Sequence, residues 1–133
     1  TYEAKAPMLL EGAAAAADGM YDFDLRDGVI RTDGILAGVV ADLDRGAPVG
    51  EISGRFHATV AGMLHAAARR VREACGLTRV CLSGGVFLNE VLTTDLRARL
   101  EADGFTVQGH RQLPPGDGAV SLGQVIVAAH RRG

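Results

Sequence analysis

Apolar residues recur along most of this chain with the spacing of a helix and alternate with polar residues in a few short stretches. The first stretch, residues 3–17, is rich in alanine and predicts a helix that ends at Asp18-Gly19. Its predicted buried face carries Leu9, Leu10 and Ala13. Alternation on both sides of Asp27-Gly28 then predicts a β-hairpin over residues 21–31.

Two more helices are predicted in the middle of the chain. One begins at Thr32 or Asp33 and ends near Asp44, with an apolar face formed by Ile35, Leu36, Val39, Val40 and Leu43. The longer one covers residues 50–75 and ends at Gly76. Its apolar stripe consists of Ile52, Phe56, Val60, Met63, Ala67 and Val71.

The last third of the chain has a strand, helix, strand order. A short apolar run at 79–82 predicts a buried strand, and leucines at 92, 96 and 100 mark a helix over 86–102. Residues 105–107 give a second strand, which such a crossover places parallel to the first. A proline-glycine loop at 113–118 opens a final helix, residues 119–130. The pattern therefore predicts an α/β fold.

The turn after the first of these strands is Ser83-Gly84-Gly85. Paired glycines let a ligand approach the main chain, and the free amides of a following helix favour an anion. Asn89, one turn later, has both a donor and an acceptor for a nucleoside. Alternatively, the glycines only permit a tight crossing and Ser83 caps the helix. The turn matches neither GxGxxG nor GxxxxGK[ST].

Composition narrows the class of protein. The chain has 133 residues, 47% of them hydrophobic, with a mean hydropathy of +0.13, which fits one globular domain over residues 1–133. Its net charge of −2 gives no basic surface for nucleic acid, and no apolar run is long enough to cross a membrane. Cys75 and Cys81 form no metal-type motif, so we expect reduced, buried thiols in a soluble cytoplasmic protein.

Four polar residues have competing interpretations from the sequence. Glu11 on the first helix is either a solvated surface carboxylate or a ligand-binding group, and Asp117 is either the N-cap of the last helix or a ligand. His57 and His65 lack the HExxH arrangement of a metal site, so structural or surface roles are expected for both. The chain begins with Thr1 rather than Met, which suggests a piece of a longer polypeptide.

Two motifs together resemble a known family. Residues 83–89, SGGVFLN, followed by 114–119, PPGDGA, and then Leu122-Gly123-Gln124, look like the C-terminal end of the HypF family of hydrogenase maturation carbamoyltransferases. The opening Thr1-Tyr2-Glu3-Ala4 and the pair Phe56-His57 also resemble that family, so the likeness spans essentially the whole chain. The resemblance implies a Kae1-like domain of the actin-like ATPase (ASKHA) fold, of which this chain would be one ribonuclease-H-like lobe.

The resemblance also implies a chemistry. In this family ATP and carbamoyl phosphate yield carbamoyl-adenylate in a separate upstream domain. The Kae1-like domain then transfers the carbamoyl group to the C-terminal cysteine of a HypE-like carbamoyl acceptor protein, and the thiocarbamate becomes the cyanide ligand of [NiFe] hydrogenase. The implied partners are that acceptor and the upstream domains of the same polypeptide.

By position, the resemblance assigns Gly84, Gly85 and Asn89 to the nucleotide pocket and Glu11 to the ribose hydroxyls. It assigns Asp117 as a ligand of a divalent metal ion, and a hard carboxylate oxygen suits such a cation. The chain departs from the family at three points: the metal-binding histidine pair of an HxxxH segment is absent, Leu88 stands where glutamine is expected, and Pro7 where a small residue is expected.

Three hypotheses follow from the sequence. The first is a lobe of a carbamoyltransferase, inactive alone. The second is a non-catalytic nucleotide-binding or self-associating module, possible as a homodimer, because half of a two-lobe protein exposes an apolar face. The third, an unrelated doubly wound nucleotide-binding protein, lacks the acidic residue expected after a second strand.

Overall fold

The computed structural model describes residues 4–110 and 113–131. Within them the helices are α1 (Lys5–Ala13), α2 (Asp33–Asp44), α3 (Val49–Cys75), α4 (Glu90–Ala102) and α5 (Val120–His130). The strands are β1 (Asp24–Arg26), β2 (Val29–Arg31), β3 (Arg79–Leu82) and β4 (Thr106–Gly109). Single 3₁₀ turns, Gly85–Leu88 and Asp117–Ala119, precede α4 and α5.

The predicted hairpin and the predicted parallel pair of strands are both confirmed. β1 pairs antiparallel with β2 around Asp27 and Gly28, whose φ angles of 51° and 78° fit a tight two-residue turn. β3 pairs parallel with β4, in a register that sets Leu82 beside Gly109. The chain is therefore α/β, as the pattern predicted.

The core lies where α3 and α4 cover the β3–β4 pair. The three predicted leucines of α4, Leu92, Leu96 and Leu100, are only 3%, 1% and 1% exposed. They pack with Leu82 at the end of β3 and with other residues of this cluster, Ala61 and Phe105. This packing fixes the loop that follows β3 relative to α3, and that loop carries the glycine motif.

The first helix is shorter than predicted. It ends at Ala13, and residues 14–17 leave it although alanine is the best helix former. The reason is a close approach to α3: the Ala15 N–H donates to the carbonyl of Gly50 at 3.0 Å, and a Cβ on Gly54 would lie 2.0 Å from the Ala15 carbonyl oxygen. Tertiary contact therefore overrides local propensity, and Leu9 and Ala13 are exposed rather than buried.

The apolar faces of α2 and α3 are also less buried than predicted. On α2, Ile35 is buried, but Leu36, Val40 and Leu43 are 66%, 56% and 59% exposed. The other fully buried position on α2 is Asp42. On α3, Ile52 is buried and Val71 is exposed, and three of the buried positions are polar: Ser53, His57 and Thr59.

The prediction of buried cysteines is wrong. Cys75 and Cys81 are both exposed free thiols. Cys75 is the last residue of α3, and Cys81 occupies an exposed position in the alternating burial pattern of β3. A strand covered on one face only leaves alternate side chains exposed, whereas the sequence had suggested burial on both faces.

The ends of the later elements shift slightly. The second strand begins at Thr106, after the buried Phe105, and the final helix begins at Val120. α5 has no buried residue, although it is strongly apolar. Among the helices of residues 4–110 and 113–131, none is long and apolar enough to cross a membrane.

Candidate nucleotide cavity

A cavity of about 300 Å³ lies between α1 and the 3₁₀ turn before α4. It brings together three of the residues predicted to bind a nucleotide, namely Glu11, Gly85 and Asn89. The rest of its lining is mainly apolar: Ala4, Pro7, Met8, Val86 and Leu88. Apolar walls with a few convergent polar groups are typical of small-molecule sites.

The Asn89 side chain makes two structural hydrogen bonds at this cavity. Its side-chain oxygen accepts a hydrogen bond from the Leu92 N–H at 2.8 Å, which caps α4. Its amide nitrogen lies 2.9 Å from Nε2 of His57. A carboxamide has two N–H donors and two acceptor lone pairs, so one of each remains for a ligand.

Glu11 reaches the same helix terminus from α1. Its Oε1 accepts a hydrogen bond from the Glu90 N–H at 2.7 Å. Glu11 and Asn89 thus satisfy two of the first amides of α4, which the sequence had offered to an anionic ligand. The predicted start of the helix is wrong: α4 starts at Glu90 rather than at 86, and the Glu11 carboxylate faces its N-terminus.

The two glycines of the motif connect in space the two segments that carry the family resemblance. Gly84 has φ 112°, which favours glycine, and its N–H donates to the Pro115 carbonyl at 2.8 Å. A Cβ on Gly116 would lie 3.3 Å from the Gly85 Cα. Residues 83–89 and 114–118 therefore meet backbone to backbone, and Gly85 lines the cavity while Gly84 supports the turn.

The alternative role of Ser83 as a helix cap is wrong. Gly84 occupies the position before the 3₁₀ turn, and no side chain caps that turn. The Ser83 hydroxyl instead lies 3.0 Å from Nε2 of His110. Ser83 and His110 follow directly on the paired ends of β3 and β4, so this contact links the two strands.

Asp117 is not brought into the cavity. It is an exposed residue that begins the 3₁₀ turn before α5, and its alternative role as an N-cap is wrong, because Gly116 precedes that turn without any side-chain cap. In the part of the chain that the structure describes, no three His, Cys, Asp or Glu side chains come together to hold a metal ion.

Sequence reasoning predicted a structural or surface role for His57 but did not identify its partner. The ring is 6% exposed, and Nδ1 lies 2.8 Å from the Ser53 carbonyl oxygen one turn earlier. A carbonyl only accepts, so Nδ1 carries the proton and Nε2 accepts from the Asn89 amide. The one available signal was a histidine surrounded by apolar positions on α3, which does not identify its partner 32 residues away.

Clearly shifted pKa values mark two ion-pair clusters on α3. Burial, followed by the hydrogen bond to Asp42, raises the pKa of Tyr21 to about 12. The hydrogen bonds from Tyr21 and then from Arg45 hold the pKa of Asp42 below its ordinary value. Hydrogen bonds from Arg72 and then from His65 similarly lower the pKa of Asp103. These carboxylates bind α3 to its neighbours.

The family of the chain is established by comparison. Residues 1–124 match the model of the second subdomain of a carbamoyltransferase Kae1-like domain. The chain therefore belongs to this family, as the two motifs had indicated.

Its relatives are HypF proteins. It is 46% identical over 77 residues to carbamoyltransferase HypF2 of Cupriavidus necator, covering 58% of this chain and 10% of that protein. It is 34% identical over 129 residues to carbamoyltransferase HypF of Rhodobacter capsulatus, covering 97% of this chain and 17% of that protein. The chain thus spans a small part of the length of these relatives.

Solved structures of HypF have the same fold. A full-length HypF crystallised in a phosphate- and nucleotide-bound form superposes with a TM-score of 0.87 at 34% identity, over 96% of this chain and 17% of that one. HypF of T. kodakarensis gives a TM-score of 0.78 at 28% identity, also over 96% of this chain and 17% of that one.

Proposed function

We propose that this chain forms one wall of the nucleotide site of a carbamoyltransferase that acts in hydrogenase maturation. The observation that carries the proposal is the cavity in which Glu11, Gly85 and Asn89 converge. Two features outside the cavity support it: membership of the family, and a relative 34% identical whose structure is described as nucleotide-bound. The fold proposed with this function is one ribonuclease-H-like lobe of an actin-like ATPase domain, which the parallel β3–β4 pair supports.

The residues of the cavity suit a nucleoside. The carboxylate of Glu11 only accepts hydrogen bonds, and the ribose hydroxyls can donate two. Asn89 has one N–H and one lone pair left after its contacts with His57 and Leu92. A ligand can also come close to the main chain at Gly85, because glycine has no Cβ.

The proposed reaction is transfer of a carbamoyl group from carbamoyl-adenylate, made from ATP and carbamoyl phosphate, to the C-terminal cysteine of a HypE-like acceptor. The thiolate attacks the carbamoyl carbon, the bond to the adenylate oxygen breaks, AMP leaves and a thiocarbamate forms. This chain supplies no nucleophile to that step. Its residues hold the adenylate in place, and orientation alone can account for a large part of such a barrier.

The proposed metal site needs more ligands than the described residues of this chain supply. Asp117 is a single exposed carboxylate, and one ligand is too few for a divalent cation, which takes six or more oxygens in the case of Ca²⁺. The donor set of the described residues therefore does not form a metal site. We propose only that Asp117 contributes one ligand to a cation held mainly by other groups, and we derive no catalytic step through that ion.

Transfer and adenylate formation can be separated experimentally. In the full-length protein that contains this subdomain, Asp117→Ala and Glu11→Ala should abolish transfer to the acceptor cysteine while adenylate formation continues. Asp44→Ala, which removes an exposed carboxylate at the end of α2, is the matched control and should change neither activity. Transfer at the original rate in both site variants would refute the proposed role of this wall.

A second candidate function is self-association. The exposed apolar residues of α5 favour it: Val120, Leu122, Val125, Ile126 and Val127 are between 42% and 64% exposed. Exposed apolar patches commonly mark association surfaces. Sedimentation of the 133-residue chain at increasing concentration tests this function, and a monomer throughout would exclude it.

A further inference from the structure

Two buried polar residues of α3 contact the two elements that carry the polar groups of the cavity. Ser53 and His57 stand one turn apart, and they are 0% and 6% exposed. Ser53 donates its hydroxyl hydrogen to the Leu10 carbonyl, which belongs to the residue before Glu11 on α1. His57 contacts Asn89 at the start of α4.

The hydrogen bonds form one continuous path with a fixed direction. The Nδ1–H of His57 donates to the Ser53 carbonyl at 2.8 Å, which leaves Nε2 as an acceptor. The Asn89 amide nitrogen donates to that Nε2 at 2.9 Å. The Asn89 oxygen, on the other side of the amide, accepts from Leu92 at 2.8 Å. Each donor in this path faces an acceptor, so the Asn89 carboxamide has one permitted orientation.

The same pair fixes the position of α1. The bond from Ser53 to Leu10 holds the backbone immediately before Glu11, and the Glu11 carboxylate in turn reaches the Glu90 N–H at 2.7 Å. Glu11 and Asn89 lie 78 positions apart in the sequence, yet Asn89 and the residue before Glu11 both contact side chains of one helical turn of α3. A buried path in which each donating group meets an acceptor rigidifies the segments that it connects.

We infer that Ser53 and His57 are positioning residues of the cavity: they set the orientation of the Asn89 amide and the distance between Asn89 and Glu11. The inference rests on the proposed function only for its consequence, namely that a nucleotide meets a donor and an acceptor at fixed places. The path itself is a property of the ligand-free chain. Its test can therefore fail separately from the nucleotide hypothesis.

The direct test uses ¹⁵N nuclear magnetic resonance on the ligand-free 133-residue chain. The variant His57→Leu removes the acceptor, His57→Gln offers a carbonyl in its place, and His65→Leu is the control. His65 lies on the same helix, but its Nε2 contacts the Asp103 carboxylate at 2.9 Å instead of the cavity. We expect His57 to show an unprotonated Nε2 and a protonated Nδ1.

The Asn89 side-chain amide is the second signal in the same experiment. One of its two N–H resonances should move upfield in His57→Leu, return toward its original position in His57→Gln, and stay unchanged in His65→Leu. A protonated Nε2 in the wild-type chain, or an Asn89 amide unaffected by His57→Leu, would overturn the inference. Ser53→Ala, which leaves the ring of His57 in place, gives an independent variant if His57→Leu does not fold.

If Ser53 and His57 position the cavity, substituting them should also change the affinity for a nucleotide. In the full-length protein, His57→Leu and Ser53→Ala should each weaken Mg-ATP binding about tenfold, roughly the contribution of one hydrogen bond, and His57→Gln should recover most of that loss. His65→Leu should not change it. If the affinities of these four variants change only in proportion to their thermal stability, Ser53 and His57 have an ordinary structural role. That result would overturn the inference. If the wild-type protein binds no nucleotide, the proposed function fails, and the resonance test still decides the inference.

Discussion

Two buried polar clusters on α3 differ in what they leave unpaired. The Asp42 cluster comprises Tyr21, Asp42, Arg45, Glu51 and Arg55, and the Asn89 cluster comprises Ser53, His57 and Asn89. In the Asp42 cluster, both carboxylate oxygens accept from arginines, and Oδ2 also accepts from the Tyr21 hydroxyl at 2.7 Å. In the Asn89 cluster, one N–H and one lone pair of the Asn89 amide remain beside a cavity.

The two clusters differ in their charge and in the hydrogen-bonding groups that they leave for a ligand. The Asp42 cluster is charged and its carboxylate is fully paired, although Arg55 Nε has no partner among the described residues and Glu51 and Arg55 line a second cavity of about 500 Å³. Burial raises the pKa of Tyr21, and hydrogen bonds within the cluster lower the pKa of Asp42. The Asn89 cluster is neutral and opens on a cavity. A perturbed pKa alone would select the Asp42 cluster, but structural ion pairs also shift pKa values.

The largest expected effect is on stability, from Asp42→Ala. This change leaves the guanidinium of Arg55, whose side chain is 23% exposed, without the carboxylate it contacts at 2.8 Å. Removing one partner of a buried ion pair is strongly destabilising, because the other charge stays without compensation. Thermal unfolding should show the greatest loss of Tm of all variants considered, and Asp44→Ala at the exposed end of α2 should show almost none. Similar Tm values for the two variants would contradict a stabilising role of this ion-pair cluster.

The loss of folding stability at acid pH depends on Asp42 of the same cluster and on Asp103. Both carboxylates have a pKa below the ordinary 3.8 in the folded chain, so their stabilisation is complete above that pH. It is lost as the pH falls from about 4 through the lowered values, because the unfolded chain takes up protons first. Urea unfolding between pH 7 and pH 2 should show this decline, and Asp42→Asn should make it shallower. An unchanged slope in that variant would contradict the low pKa of Asp42.

A smaller loss is expected for Tyr21→Phe. The substitution keeps the ring packed over Gly38 and removes only the hydroxyl that donates to Asp42. Urea unfolding should show a loss of about 1–3 kcal/mol, the cost of leaving a buried acceptor short of one donor. The decline in stability at alkaline pH should also weaken, since the raised pKa of Tyr21 favours the folded chain below pH 10 and that advantage disappears toward about 12. A loss equal to that of Asp42→Ala would place the hydroxyl, rather than the charge pairs, at the centre of the cluster.

The smallest stability effects are expected in the Asn89 cluster. Asn89→Ala loses the cap of α4 and should cost about 1 kcal/mol in urea unfolding. Asn89→Ser keeps an oxygen that can cap the helix, and should recover most of that stability. Equal losses in the two variants would mean that the bond to Leu92 contributes nothing to the helix.

Local patterns in the sequence predicted the elements whose formation depends on neighbouring residues. The Asp27-Gly28 hairpin, the long helix that ends at Gly76 and the leucine spacing of α4 are all confirmed. The glycine turn was located correctly, because positive φ at Gly84 is a local requirement. The family resemblance then selected Glu11 and Asn89, which spacing alone left open.

The remaining features depend on contacts between distant residues. The break in the alanine helix at 14–17 comes from Gly50 and Gly54, some 35 to 40 positions later. The Glu90 N–H at the start of α4 donates to Glu11, and His57 contacts Asn89. No periodicity in the sequence records such pairings. The nucleotide-binding roles of Glu11, Gly84, Gly85 and Asn89 stay predictions, as do the metal ion and the role of Asp117.

The central claim is that the open hydrogen-bonding groups of Asn89 bind a nucleotide. The most direct test is calorimetric titration of Mg-ATP into the full-length protein and its Asn89→Ser variant, since serine retains the helix cap but lacks the amide N–H groups. We predict an affinity about tenfold weaker in Asn89→Ser, with Tm nearly unchanged. Equal affinities in the two proteins would contradict the account.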